Sequence, residues 1–130
     1  MLGDSKAFSG FAVDDIAKAQ EFYGQTLGIR VEVLDETNHL LALHHPEGRD
    51  TLVYGKPDHD PANYTILNFE VDDIDAAVDG LAARGVQFER YEGFDQDDKG
   101  VARGLAADRG PDIAWFRDPA GNILSVLQQG

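Results

Sequence analysis

The sequence predicts an α+β fold made of two copies of one strand-helix-strand unit, and three observations predict it. The hexapeptide Phe11-Ala12-Val13-Asp14-Asp15-Ile16 returns as Phe69-Glu70-Val71-Asp72-Asp73-Ile74, at an offset of 58 positions and differing only where Ala12 becomes Glu70. Each copy follows an alternating, strand-like stretch and leads a helical pattern that ends near a glycine. The chain has 130 residues, 42% of them hydrophobic, which is enough for one ordinary core.

The elements follow in order. Ser9, Phe11 and Val13 share one side of the first strand, because strand side chains alternate. Ile16, Ala19, Phe22, Tyr23 and Leu27 then recur at helical spacing, with Asp15 suited to the N-cap and Gly28 to the stop. Strand-like segments follow at Ile29 to Leu34, Leu40 to His45 and Thr51 to Tyr54. In the second copy Leu67, Phe69 and Val71 lie under the helix, leaving Ile66, Asn68 and Glu70 on the opposite face, as Phe8, Gly10 and Ala12 are in the first. Asp73 caps a helix whose apolar stripe is Ile74, Ala77, Val78, Leu81 and Ala82, and Gly85 ends it. Strands are expected at Val86 to Tyr91, Ile113 to Phe116 and Ile123 to Leu127. Asp118-Pro119-Ala120-Gly121-Asn122 predicts a tight hairpin between the last two. The polar stretch from Glu92 to Asp112 has no clear periodicity; a loop that long is uncommon in a compact domain, and such loops are often lids or disordered segments.

Composition narrows the function. Without cysteine there are no disulfides, thiolate zinc sites or cysteine nucleophiles, which fits a reducing cytoplasm. There is no apolar run long enough to span a membrane and no leader-like N-terminus, so neither a membrane nor a targeting address is expected. A net charge of −13 repels phosphate backbones, so no nucleic-acid partner is expected. The same charge keeps an acidic protein soluble, or suits a cationic ligand.

The order of motifs resembles the vicinal oxygen chelate superfamily, which includes glyoxalase I, extradiol dioxygenases, fosfomycin resistance enzymes and bleomycin resistance proteins. The motifs are Val13-Asp14-Asp15 leading a helix, Phe22-Tyr23 followed by Leu27-Gly28, the repeated Val71-Asp72-Asp73, and Asp118-Pro119 with Gly121-Asn122 before the last strand. The resemblance implies one domain of two tandem βαβββ modules, at 5–56 and 64–129 with a linker at 57–63, forming a cup-shaped mixed sheet around one cavity. It also implies a homodimer. Enzymes of the family hold a divalent metal on His and Glu side chains. Carried over one at a time, those ligand positions fall here on Phe8, Thr51, Ile66 and Ser125. Carbon side chains and hydroxyls do not hold a dication, so no metal and no cofactor is expected.

The ligand-binding residues expected on that cavity are Phe8, Thr51, Ile66 and Ser125 as its floor, Asn68 and Glu70 as polar anchors, and Trp115 as an aromatic wall. Strand-end solvation is the competing explanation for Asn68 and Glu70, and core packing, which is favoured, the one for Trp115. Tyr54 and Tyr91 stand at strand ends, where ring faces could meet a cation or simply pack. His44 and His45 must point to opposite faces, so they cannot chelate together. The function expected is a metal-independent small-molecule binding protein that sequesters a cationic or aromatic compound. The alternatives are a lyase, isomerase or dioxygenase using His45 and Glu70 as substitute ligands or Glu70 as base, and a dimerisation or regulatory module.

Overall fold

A computed structural model describes all residues, 1–130, and the chain divides into two units, Met1–Asp60 and Pro61–Gly130. In the first unit β1 (Ser9–Val13) leads to α1 (Ile16–Glu21), then β2 (Arg30–Asp35), β3 (Leu40–His45) and β4 (Arg49–Gly55). These strands form one mixed sheet in the order β1-β4-β3-β2, with β1 and β4 parallel and the other pairs antiparallel. Asp15 caps α1 by accepting from the Lys18 N–H at 3.1 Å. The helix does not run as α-helix to Leu27; after Glu21 it widens into a π-turn over Phe22–Thr26. That turn buries Tyr23, whose ring packs on Phe11 at 5.7 Å between centroids. Phe11 and Val13 are thus buried on the helix side, as their spacing predicts.

The second unit repeats the plan with β5 (Thr65–Glu70), α2 (Ile74–Ala83), β6 (Ala102–Arg103), β7 (Asp112–Arg117) and β8 (Ile123–Gln128) in the order β5-β8-β7-β6. Asp73 caps α2 through the Ala76 N–H, and the Gln128 side chain accepts from the Ile74 N–H, pinning the helix start to the end of β8. Ile74 and Val78 are buried, as are Ala114 and Phe116 of β7 and Leu124 and Val126 of β8. Burying such side chains contributes roughly 1.5–3 kcal/mol each for the larger ones, before the entropy cost of ordering them.

The hairpin between β7 and β8 forms through more than proline and glycine. Asp118 accepts from the N–H groups of Ala120 and Asn122, and the Asn122 amide donates back to Asp118 at 2.9 Å. Gly121 has φ +85 and lies against Pro61, so a side chain there would be both strained and crowded.

The expected strand at Val86–Tyr91 is absent. Only Phe88 bridges to Phe116, and the Glu89 N–H donates to the Trp115 carbonyl. The reason is Gln96, whose side chain accepts from the Tyr91 N–H and donates to the carbonyls of Glu89 and Gly100. Backbone groups that a longer strand would pair are satisfied instead by one amide. The edge place along β7 passes to β6, where Ala102 faces Ile113 and Arg103 faces Asp112.

The stretch from Glu92 to Asp112 is therefore folded, not a disordered segment. Asp97 accepts from the N–H groups of Lys99 and Val101 and from the Arg103 guanidinium, which also grips Asp75 of α2 at 2.7 and 3.1 Å. Gly104 closes the turn, with space for no side chain: a Cβ would lie 2.5 Å from the Pro111 carbonyl oxygen.

Candidate functional site

Register decides which side chains share a face. In the second unit Asn68 pairs with Ser125, and Ser125 with Trp115, so these three form one row across β5, β8 and β7. Glu70, Leu127 and Ile113 form the next row on the same face. This is the side away from α2, because Gln128 and Val126, which alternate with Leu127 and Ser125, are on the helix side. Ile66 is half-buried at a bulge between Thr65 and Leu67. Ser125 is fully buried and donates to the Asn68 side-chain oxygen at 2.6 Å, while Glu70 is exposed.

Trp115 is half-buried rather than part of the closed core. It sits at the centre of an aromatic cluster, tilted against Phe94 at 5.1 Å and edge-on to Tyr91 at 5.5 Å. Two cavities meet this cluster. One, of about 610 Å³, runs along Phe94, Gln96, Arg103, Arg109, Ile113 and Trp115. The other, of about 360 Å³, is bounded by Tyr64, Thr65, Tyr91, Phe94, Trp115 and Ile123. Trp115 and Phe94 wall both. Phe94 is 56% exposed, and the Tyr91 hydroxyl is buried without a hydrogen-bond partner. Burial, then the Glu89 charge, raise the Tyr91 pKa above its ordinary value.

The loop that carries Phe94 is held by charge. Hydrogen bonds from Arg103 and then Lys99 draw the Asp75 carboxyl down to about 2. Burial opposes ionisation of Asp97, but the Val101 N–H and Arg103 outweigh it and leave that carboxyl below its usual value. Both groups stay ionised at neutral pH, so the wall keeps its anchor.

In the first unit Phe8 precedes β1 and is 73% exposed. Thr51 calls for a correction. It pairs with Ser9, which places it on the face of Phe11 and Val13 under α1, where its hydroxyl meets His45 Nε2 at 2.9 Å. The repeat offset carries Asn68 onto Gly10, and Gly10 pairs with Leu52 as Asn68 pairs with Ser125. Leu52, not Thr51, is the first-unit counterpart of Ser125; the duplication itself held that signal. Burial lowers the His45 pKa. His44 does the opposite on the other face. Its two ring nitrogens meet Asp50 at 2.8 Å and Glu32 at 2.9 Å, and these carboxylates raise its pKa, Asp50 most. Tyr54 is exposed at the end of β4.

The sequence singled out Trp115 but not Phe94, which comes from a polar loop without periodicity. A signal was present in Tyr91 and Phe94, two aromatics three positions apart inside an otherwise charged stretch.

The glyoxalase/bleomycin resistance protein/dioxygenase superfamily model matches residues 8–126. The chain belongs to that superfamily. No curated protein matches it. Among solved structures, a superfamily member from Sphaerobacter thermophilus DSM 20745 is 24% identical, with 98% of this chain and 100% of that chain covered at a TM-score of 0.70. An antibiotic binding protein from Streptomyces sp. CB03234 is 22% identical, with 98% of each chain covered and a TM-score of 0.68. A genomically encoded fosfomycin resistance protein from Listeria monocytogenes is 12% identical, with 98% of this chain and 92% of that chain covered at 0.71. At these identities the likeness is one of fold.

Superfamily enzymes use a divalent metal, and this chain's donor set does not fit one. Phe8 and Leu52 of the first unit and Ile66 of the second offer only carbon, and Ser125 offers only a neutral hydroxyl. No group of three or more His, Asp or Glu side chains is placed to hold an ion. No helix is long and apolar enough to cross a membrane.

Proposed function

We propose that the protein binds a small planar aromatic compound without a metal, on the Trp115 wall of its second unit. The observation that carries this is that Trp115 and Phe94 are shared by two adjoining cavities, both within the size range of small-molecule sites. Asn68 and Glu70 stand on the same sheet face and supply polar groups that orient a ligand, with Ser125 holding the Asn68 oxygen in place. Ile66, of the same unit, contributes shape rather than chemistry in this reading. The acid-rich surface favours a cationic group somewhere on the ligand. A homodimer in a reducing cytoplasm completes the proposal, on the family resemblance and the lack of cysteine.

Sequestration is preferred to catalysis because no nucleophile with a base and no metal donor set lines the aromatic wall. The open cavities argue against a purely structural dimerisation module. Thermal-shift screening tests the proposal. A ligand at one hundred times its Kd stabilises a native protein by about 2.7 kcal/mol, and such shifts are expected from planar aromatic compounds. Silence across neutral, cationic and anionic aromatics alike would overturn it.

A further inference from the structure

The charges that line the larger cavity are Asp95, Asp97, Arg103 and Arg109. Two of them are already used. Arg103 and Asp97 lie 2.8 Å apart, and Arg103 also grips Asp75. Asp95 and Arg109 remain, and neither takes part in an ion pair or a side-chain hydrogen bond. Arg109 is placed by its backbone, whose N–H donates to the Gly104 carbonyl at 2.8 Å in the turn that admits no side chain at Gly104.

Of the chain's 11 basic residues, five form ion pairs with carboxylates, and Arg109 is among those that do not. Arg103, Lys99, Lys56, Arg49 and Arg117 all find carboxylates. Arg109 does not, although Asp95 and Asp97 line the same cavity. The field of the whole protein discourages a purely anionic ligand at long range, but it is screened beyond about 8 Å at physiological salt. A ligand with no net charge avoids that cost and can still use both local charges.

We infer that the ligand is an aromatic zwitterion, whose ring lies on Trp115 and Phe94 while its acidic group meets Arg109 and its amine meets Asp95. The inference rests on the proposed aromatic site and goes beyond it by assigning Arg109 and Asp95. Both residues are exposed, so each pairing contributes specificity more than affinity, with an effect of about threefold to fivefold.

The test is calorimetric titration of the full chain with four probes that share one ring: indole, tryptamine, indole-3-acetate and tryptophan. Tryptophan is expected to bind about threefold or more tighter than either singly charged probe. Arg109→Ala is expected to bring tryptophan to the affinity of tryptamine while leaving tryptamine unchanged. Asp95→Asn is expected to bring it to that of indole-3-acetate. Equal binding of all four probes, or variants that shift all four alike, overturns the inference and leaves the aromatic site standing. Binding of none overturns both.

Discussion

Replacing Trp115 by leucine separates a wall residue from a core residue. The indole makes two aromatic contacts, with Phe94 at 5.1 Å and Tyr91 at 5.5 Å. Each such pair contributes about 0.5–1.5 kcal/mol beyond area burial, so Trp115→Leu should cost about 1–3 kcal/mol. Leucine keeps part of the apolar contact with the sheet, which limits the loss to that range. For a domain of this size about 4 °C of Tm goes with each kcal/mol, giving a fall of roughly 4–12 °C. Circular dichroism is the suitable probe, because Trp115 is the only tryptophan and its fluorescence goes with it. The same variant should weaken an aromatic ligand about tenfold while the fold persists. A Tm unchanged within about 2 °C, together with unchanged binding, would refute the role given to the cluster.

Other expectations follow from the same geometry. His44 should titrate above its ordinary 6.5 and His45 below it, which NMR resolves directly. Because the folded His44 pKa is raised, its stabilising contribution is complete below 6.5 and is lost as pH rises through the folded value. The Tm difference between the wild type and His44→Gln should therefore shrink from pH 6 toward alkaline pH; a constant difference would contradict the Glu32-His44-Asp50 clip. Tyr91→Phe removes a buried hydroxyl that has no partner, so the ligand-free protein should keep its stability or gain up to about 1 kcal/mol in urea unfolding. Gly104→Ala places a Cβ 2.5 Å from a backbone oxygen and should cost about 1–3 kcal/mol, with faster amide exchange at the turn around Gly104.

The repeated hexapeptide made the duplication readable, because Asp15 and Asp73 each cap a helix by the same local hydrogen bond wherever the helix packs. Alternation likewise separated Phe69 from Asn68. What sequence could not convey was partnership between distant segments. Gln96 takes over backbone groups that would otherwise extend a strand at Val86–Tyr91, and nothing near position 90 announces an amide arriving from the next loop. Thr51 and Leu52 are one step apart, and a one-residue choice of register moves a side chain to the other face. Trp115 alternates with Ala114 and Phe116, so one face was legible, but whether a core or a cavity covered it depended on the Arg103 network that anchors the neighbouring loop.

The most direct measurement is a calorimetric titration of the chelator-treated protein with an aromatic ligand, repeated with zinc, manganese, nickel or iron(II) added. Equal affinity in every arm, with no ion retained at stoichiometric level, is the predicted result. Binding that vanishes on chelation and returns with one of these ions would contradict it.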